Sequence, residues 1–189
     1  MNLMKHFRVY ALIAIALLAP FANYTAAQEP HTHQMHSNAV AIGATYAGQQ
    51  TRVIKALSPQ ETQDLLDGKG LGSAKAAELN GYPGPMHTLE HANAMKLTRE
   101  QRDQTRELLA KHRVAVKALG VQLVEAEKAL DAAFAEQRMT NGRLTVMTDD
   151  IGRLQALIRA EHLRTHLEQT ALLSTPQIEQ YKALRGYVN

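Results

Sequence analysis

An all-α fold is what this sequence predicts, and three observations carry the prediction. The chain of 189 residues has no Cys, no Trp, and 5% aromatic against 45% hydrophobic residues, a balance that favours helix over sheet. Two stretches after Thr98 repeat apolar residues at steps of three and four, the mark of a helix with one buried stripe. Near-copies of one motif bracket those stretches: Leu97-Thr98-Arg99-Glu100-Gln101 and Leu173-Ser174-Thr175-Pro176-Gln177. In each, a hydroxyl residue stands three before a Gln. The hydroxyl can accept from the third helical N–H while the Gln reaches back to the cap's own N–H. Both copies read as helix starts.

Residues 1–27 read as a secretory signal peptide. Lys5 and Arg8 open it, residues 9–19 are apolar, and Thr25-Ala26-Ala27 offers small residues for cleavage. The apolar run falls short of the roughly 20 residues a spanning helix needs, so no membrane span is expected after cleavage. The segment implies export from the cytoplasm. Export without Cys leaves packing rather than disulfides to hold the fold. Removing Lys5 and Arg8 from the 21 basic side chains leaves 19 against 18 acidic ones. A balance that even excludes a nucleic-acid partner.

Residues 28–45 show no apolar period and read as a flexible tail. His31, His33, Met35 and His36 cluster there. Imidazole and thioether together suit copper or zinc, and the same composition fits a plain polar leader. Pro30 removes one backbone nitrogen from any terminal chelate.

Residues 46–189 read as a single helical domain. Ile54 and Leu57 mark a short turn, and Ser58-Pro59-Gln60-Glu61 is a third capping box opening a helix over 59–66. Gly68, Gly70 and Gly72 break it. Ser73 is placed to cap a second short helix through Leu79, before Asn80-Gly81. Tyr82-Pro83-Gly84-Pro85 is a stiff turn, followed by a short helix over 86–95.

The first long stripe runs Thr105, Leu108, His112, Ala115, Leu119, Leu123, Ala126, Leu130 and Ala133, interrupted only by Gly120, and ends near Gln137. The second runs Leu144, Met147, Ile151, Leu154, Ile158, His162 and His166, widened by Leu157, Leu163, Leu167 and Ala171. Its start stays open between Thr140 and Thr148, the latter with Asp149 and Asp150 in the first turn. A last helix starts after Ser174 or Thr175 and stops at Gly186. Two amphipathic helices joined by a short turn pack antiparallel, because neither buries its stripe alone. The expected architecture is a long antiparallel hairpin with short flanking helices. Apolar area left on the hairpin predicts a homodimer.

At the paired motifs the sequence resembles the Spy/CpxP family of periplasmic proteins, which carry two L-T-x-x-Q boxes in a small all-helical fold. The resemblance covers about residues 57–187. Leu97, Thr98 and Gln101 fit the box fully, while Leu173, Ser174 and Gln177 differ by Ser for Thr, which keeps the cap chemistry. The resemblance implies a cradle-shaped homodimer that holds unfolded clients without ATP, or a related role in envelope stress beside a membrane sensor protein. A neighbouring branch resembles periplasmic heavy-metal sensors and zinc-resistance proteins, which use His, Glu and Met as ligands for zinc, copper or nickel.

Several residues can carry chemistry. His162 and His166 stand four apart on the second long helix, so their rings project from one face about 6 Å apart. His87 and His91 share that spacing on a short helix, and His112 lies on the first long stripe. A hairpin turn centred near residues 138–140 sets His112 opposite His166, with His87 folding back to within a turn or two of that level. A start at Thr148 slides that register. Zinc, copper or nickel is the ligand such a cluster suits, with Glu90, Glu107 or Glu161 adding oxygen or orienting a ring. The same five histidines also fit ordinary helix-surface and hairpin-end positions.

His87-Thr88-Leu89-Glu90-His91 matches H-x-x-E-H, a zinc-peptidase spacing. A short helix behind a Pro-Gly-Pro turn is poor context for it. No G-x-S-x-G, Cys or G-x-x-x-x-G-K is present, so the chain reads as non-enzymatic. Met86, Met95, Met139 and Met147 suit either a binding surface or core filling. Arg99, Arg102, Arg106, Arg113 and Lys117 form a basic ridge of the kind that acids usually pair on a solvated face. The first functional expectation is an ATP-independent holdase. The second is a metal-binding or metal-sensing module, and a peptidase is a distant third.

Overall fold

The structure, a computed structural model, describes residues 45–187. The signal segment and the tail carrying His31, His33, Met35 and His36 lie outside the described residues. Among those described, all regular structure is helical. Six helices follow in order: α1 Pro59–Leu66, α2 Lys75–Glu78, α3 Pro85–Glu90, α4 Arg99–Ala135, α5 Asn141–Ala171 and α6 Thr175–Leu184. No described helix is long and apolar enough to cross a membrane.

The helix starts sit where the capping residues put them. Ser58 Oγ accepts from Glu61 N at 3.1 Å and Glu61 Oε2 accepts from Ser58 N at 2.8 Å. Thr98 and Gln101 make the same exchange at 3.1 and 3.0 Å. Caps of this kind contribute about 1 kcal/mol each. The open start of α5 is at Thr140, whose Oγ1 accepts from Arg143 N at 3.3 Å. Thr148 lies inside the helix and donates back to Leu144 O instead.

Three short-range expectations shift. α2 opens at Ala74 without a side-chain cap, so Ser73 does not serve it. α3 stops at Glu90 rather than near Met95, and the chain turns through Lys96 at φ 52° to bring Leu97 inward. α4 ends at Ala135, where Gln137 takes φ 53° and the Arg138 N–H reaches Ala133 O at 2.9 Å. That 6→1 bond with a left-handed residue is a Schellman stop, usually made with glycine.

The two long helices run in opposite directions and pack together. Gln101 Nε2, at the start of α4, donates to Leu172 O just past the end of α5. α1 lies on α4, α2 on α5, and α3 on both. This covering turns the buried face of α4 away from the expected stripe. Val116, Gly120, Val124 and Glu127 are buried, while Leu108, Ala115 and Leu119 are only half-buried. Gly120 allows the approach, because a Cβ there would overlap the Leu65 carbonyl at the end of α1. On α5, Leu144, Leu157 and Leu167 are exposed, contrary to the stripe reading.

The core divides into two apolar clusters. Ile54, Leu65, Leu123, Val124, Ile151, Leu154 and Ile158 form the first; Ala92, Met95, Leu97 and Tyr181 form the second. Burying a side chain such as Leu154 contributes about 2 kcal/mol. Buried polar side chains lie along the long helices outside both clusters: Thr105 and His112 on α4, His162, Thr165, His166 and Gln169 on α5.

Candidate functional site

His112, His162 and His166 share the wall of one cavity of about 810 Å³, bounded also by residues 67–72, α2 and the start of α3. Helix periodicity aims the last two from consecutive turns of α5, and the antiparallel packing brings His112 to them. The match-up differs from the expected one. His112 Nδ1 pairs with Thr165 Oγ1 at 2.9 Å, and its ring packs edge-on against His162 with centroids 4.6 Å apart. His166 instead turns to the carbonyl of Tyr82, 2.7 Å from its Nδ1. A carbonyl only accepts, so His166 carries its proton on Nδ1. Thr165 spends its single hydroxyl proton on Glu161 O at 2.9 Å, so His112 must also donate from Nδ1. The neutral His112 ring therefore keeps an Nε2 lone pair.

Two glycines make room for these rings. A Cβ on Gly70 would lie 3.1 Å from His162 Cε1, and one on Gly84 would lie 2.8 Å from His166 Cε1. Burial, then the charge of His166 and Arg113, pushes His112 down to about 4. Burial, then His112 and His166, does the same to His162, also to about 4. Two neutral imidazoles side by side are the result. His162 Nε2 is buried and has no hydrogen-bond partner among the described residues.

His87 borders the cavity, with Nδ1 2.6 Å from Glu90 Oε2, a bond that holds Glu90 below the usual carboxylate range. His91 follows the last residue of α3 and is not on the cavity wall. The H-x-x-E-H residues are thus divided, with the Glu spent on its own His. Among the oxygen candidates, Glu161 Oε1 is 3.8 Å from His112 Nδ1, whereas Glu107 pairs with Lys111 on the surface. Neutral imidazoles are the form that ligates zinc, copper or nickel, and His112, His162 and His166 would hold it here. Yet among the described residues no three His, Cys, Asp or Glu side chains converge on a metal position.

One cavity residue escaped the sequence reading. Glu78 Oε1 accepts from Tyr181 Oη at 2.6 Å, Tyr187 Oη at 3.2 Å and Arg185 Nε at 3.3 Å, while its Oε2 lies 3.7 Å from His166 Nδ1. Burial and the Glu78 bond push the Tyr181 phenol up. The only sequence signal was a Glu in a short helix, since its hydrogen-bond donors lie 103 or more residues away.

The two motif copies meet as well. Gln177 Oε1 accepts from Ser174 N at 2.9 Å and from Gln101 Nε2 at 2.9 Å, while Gln101 Oε1 accepts from Gln177 Nε2. Leu97 is buried in the second apolar cluster and Leu173 packs on its edge.

Comparison with protein-family models, with curated proteins and with solved structures finds no match for this chain.

Proposed function

We propose that this chain is a non-enzymatic, exported stress protein of the Spy/CpxP type, holding unfolded periplasmic clients without ATP. One observation carries the reading: large apolar side chains stand exposed along both long helices. Val114 is 73% exposed, Val121 48%, Phe134 54%, Val146 69% and Leu157 41%. Apolar surface of that kind is where unfolded segments or a second copy would bind. Arg113 stands beside Val114 on α4 and would steer acidic stretches, whereas Arg99 and Arg106 pair with Asp103. The paired L-T-x-x-Q boxes support the family resemblance on which the homodimeric cradle rests.

Aggregation of an unfolding client, followed by light scattering without ATP, tests this reading. Suppression at equimolar protein or below is expected, and its loss on Val114→Asp/Val121→Asp. No suppression by the unaltered protein removes the holdase.

A second reading, zinc, copper or nickel binding or sensing, is favoured by the neutral His112 and His162 rings. Against it stand the basic side chains around the cavity and, among the described residues, the lack of three converging ligands. Zinc and copper titrated into the protein and into His162→Ala/His166→Ala decide it. Equal affinity in both eliminates the helical site and leaves the tail.

A further inference from the structure

The cavity wall carries an uneven charge. Five basic side chains line it against two acids, Asp67 and Glu78. Lys69 is spent on Asp64 at 2.7 Å and Arg185 on Glu78 at 3.3 Å. Lys75, Arg113 and Lys117 make no ion pair among the described residues. Oε1 of Glu78 is in turn taken by Tyr181, Tyr187 and Arg185. The remaining field in the cavity is positive, and a low-dielectric concave wall concentrates it.

Unpartnered polar groups belong to residues of the same wall. The amides of Gly70, Leu71 and Gly72 have no backbone acceptor among the described residues. His162, 7% exposed, has an Nε2 with no partner. The other part of the lining is apolar: Leu71, Pro85, Met86 and Leu109. The volume, about 810 Å³, is in the range of small-molecule sites, which pair an apolar lining with a few convergent polar groups.

We infer that this cavity binds a small organic anion, a carboxylate or phosphate on an apolar body. Arg113, Lys117 and Lys75 take the anionic group, and Leu71, Met86 and Leu109 receive the body. The lysines act as point charges and Arg113 as a planar fork, which suits either oxyanion. This assignment is independent of client holding, which uses the outer faces of the long helices and is judged by aggregation assays.

Isothermal titration at low salt, with EDTA to exclude metals, tests it. The probes are benzoate, phenyl phosphate, inorganic phosphate and benzylamine. Benzoate or phenyl phosphate should saturate one site per chain, and the tighter of the two identifies the anionic group. Affinity should fall about tenfold in Arg113→Gln/Lys117→Gln. Both side chains are exposed, so that variant should keep its thermal melt. Four results overturn the assignment: no saturation by either aromatic anion up to about 10 mM, equal binding in the variant, equal binding of benzylamine, or inorganic phosphate binding as tightly as phenyl phosphate. Should the variant melt early, Leu71→Asp serves instead: the exposed Leu71 meets the apolar body, and unchanged affinity there also overturns the assignment.

Discussion

Gln101 and Gln177 exchange two hydrogen bonds of 2.9 Å across 76 residues of chain, Nε2 of each donating to Oε1 of the other. Each amide oxygen also caps its own helix, accepting from Thr98 N and Ser174 N. The second proton of Gln101 goes to Leu172 O at 2.9 Å. Every donor and acceptor of Gln101 is thereby used. The two motif copies form one joint that ties the start of α6 to the start of α4.

Breaking that joint should cost more than a lost cap. Gln101→Ala and Gln177→Ala are each expected to destabilise by about 1–3 kcal/mol. The double variant should lose less than the two together, by at least about 0.5 kcal/mol. Urea denaturation measures all three, and strict additivity would show the two caps to be independent.

Stability should fall on mild acidification. His112 and His162 titrate near 4 in the folded chain, below the ordinary 6.5. Between those values the unfolded chain binds protons that the folded chain refuses. Their contribution is complete above about pH 6.5 and is lost as pH falls toward 4, up to about 3 kcal/mol per ring. Urea midpoints at about pH 7.5 and 5 read this. His112→Gln/His162→Gln should flatten the dependence, and an unchanged slope in that variant would place its origin elsewhere.

Gly120 and Gly152 should respond in opposite ways to alanine. A Cβ on Gly120 meets the Leu65 backbone, while one on Gly152 meets nothing within 4 Å. Gly152→Ala should stabilise α5 by about 0.5–1 kcal/mol through helix propensity. Gly120→Ala should destabilise by about 1–3 kcal/mol, since packing strain outweighs that gain. Thermal melts of the pair provide the check, and a stabilised Gly120→Ala would mean that α1 moves aside freely.

Gln169 is fully buried, and neither end of its amide has a hydrogen-bond partner among the described residues. Replacing it with the similarly shaped Met removes an uncompensated desolvation cost. Gln169→Met should therefore raise stability by about 1 kcal/mol in urea, and a loss would reveal a polar role for the amide.

The bonds of a helix and its cap span three or four residues, so the sequence alone could place them. Ser58 and Thr98 open two helices as read, Thr140 and Ser174 are the ones that open α5 and α6 where two starts stood open, and His112, His162 and His166 lie on buried faces as their stripes required. Where α3 stops was not legible, because the turn through Lys96 answers to Leu97 and its distant neighbour Tyr181. Nor was the rotation of α4's buried face, which α1 imposes at Gly120.

By itself, then, the sequence determined the helical class, the capped helix starts at Ser58 and Thr98, and which histidines turn inward. Which groups meet was decided only by the tertiary structure: Thr165 rather than His166 against His112, Gln101 with Gln177, Glu78 under Tyr181. Those partners lie 53, 76 and 103 residues apart. A slide of one residue along the antiparallel helices changes which side chain faces which, and no local propensity records that slide. Packing around Gly70, Gly84 and Gly120 selects it.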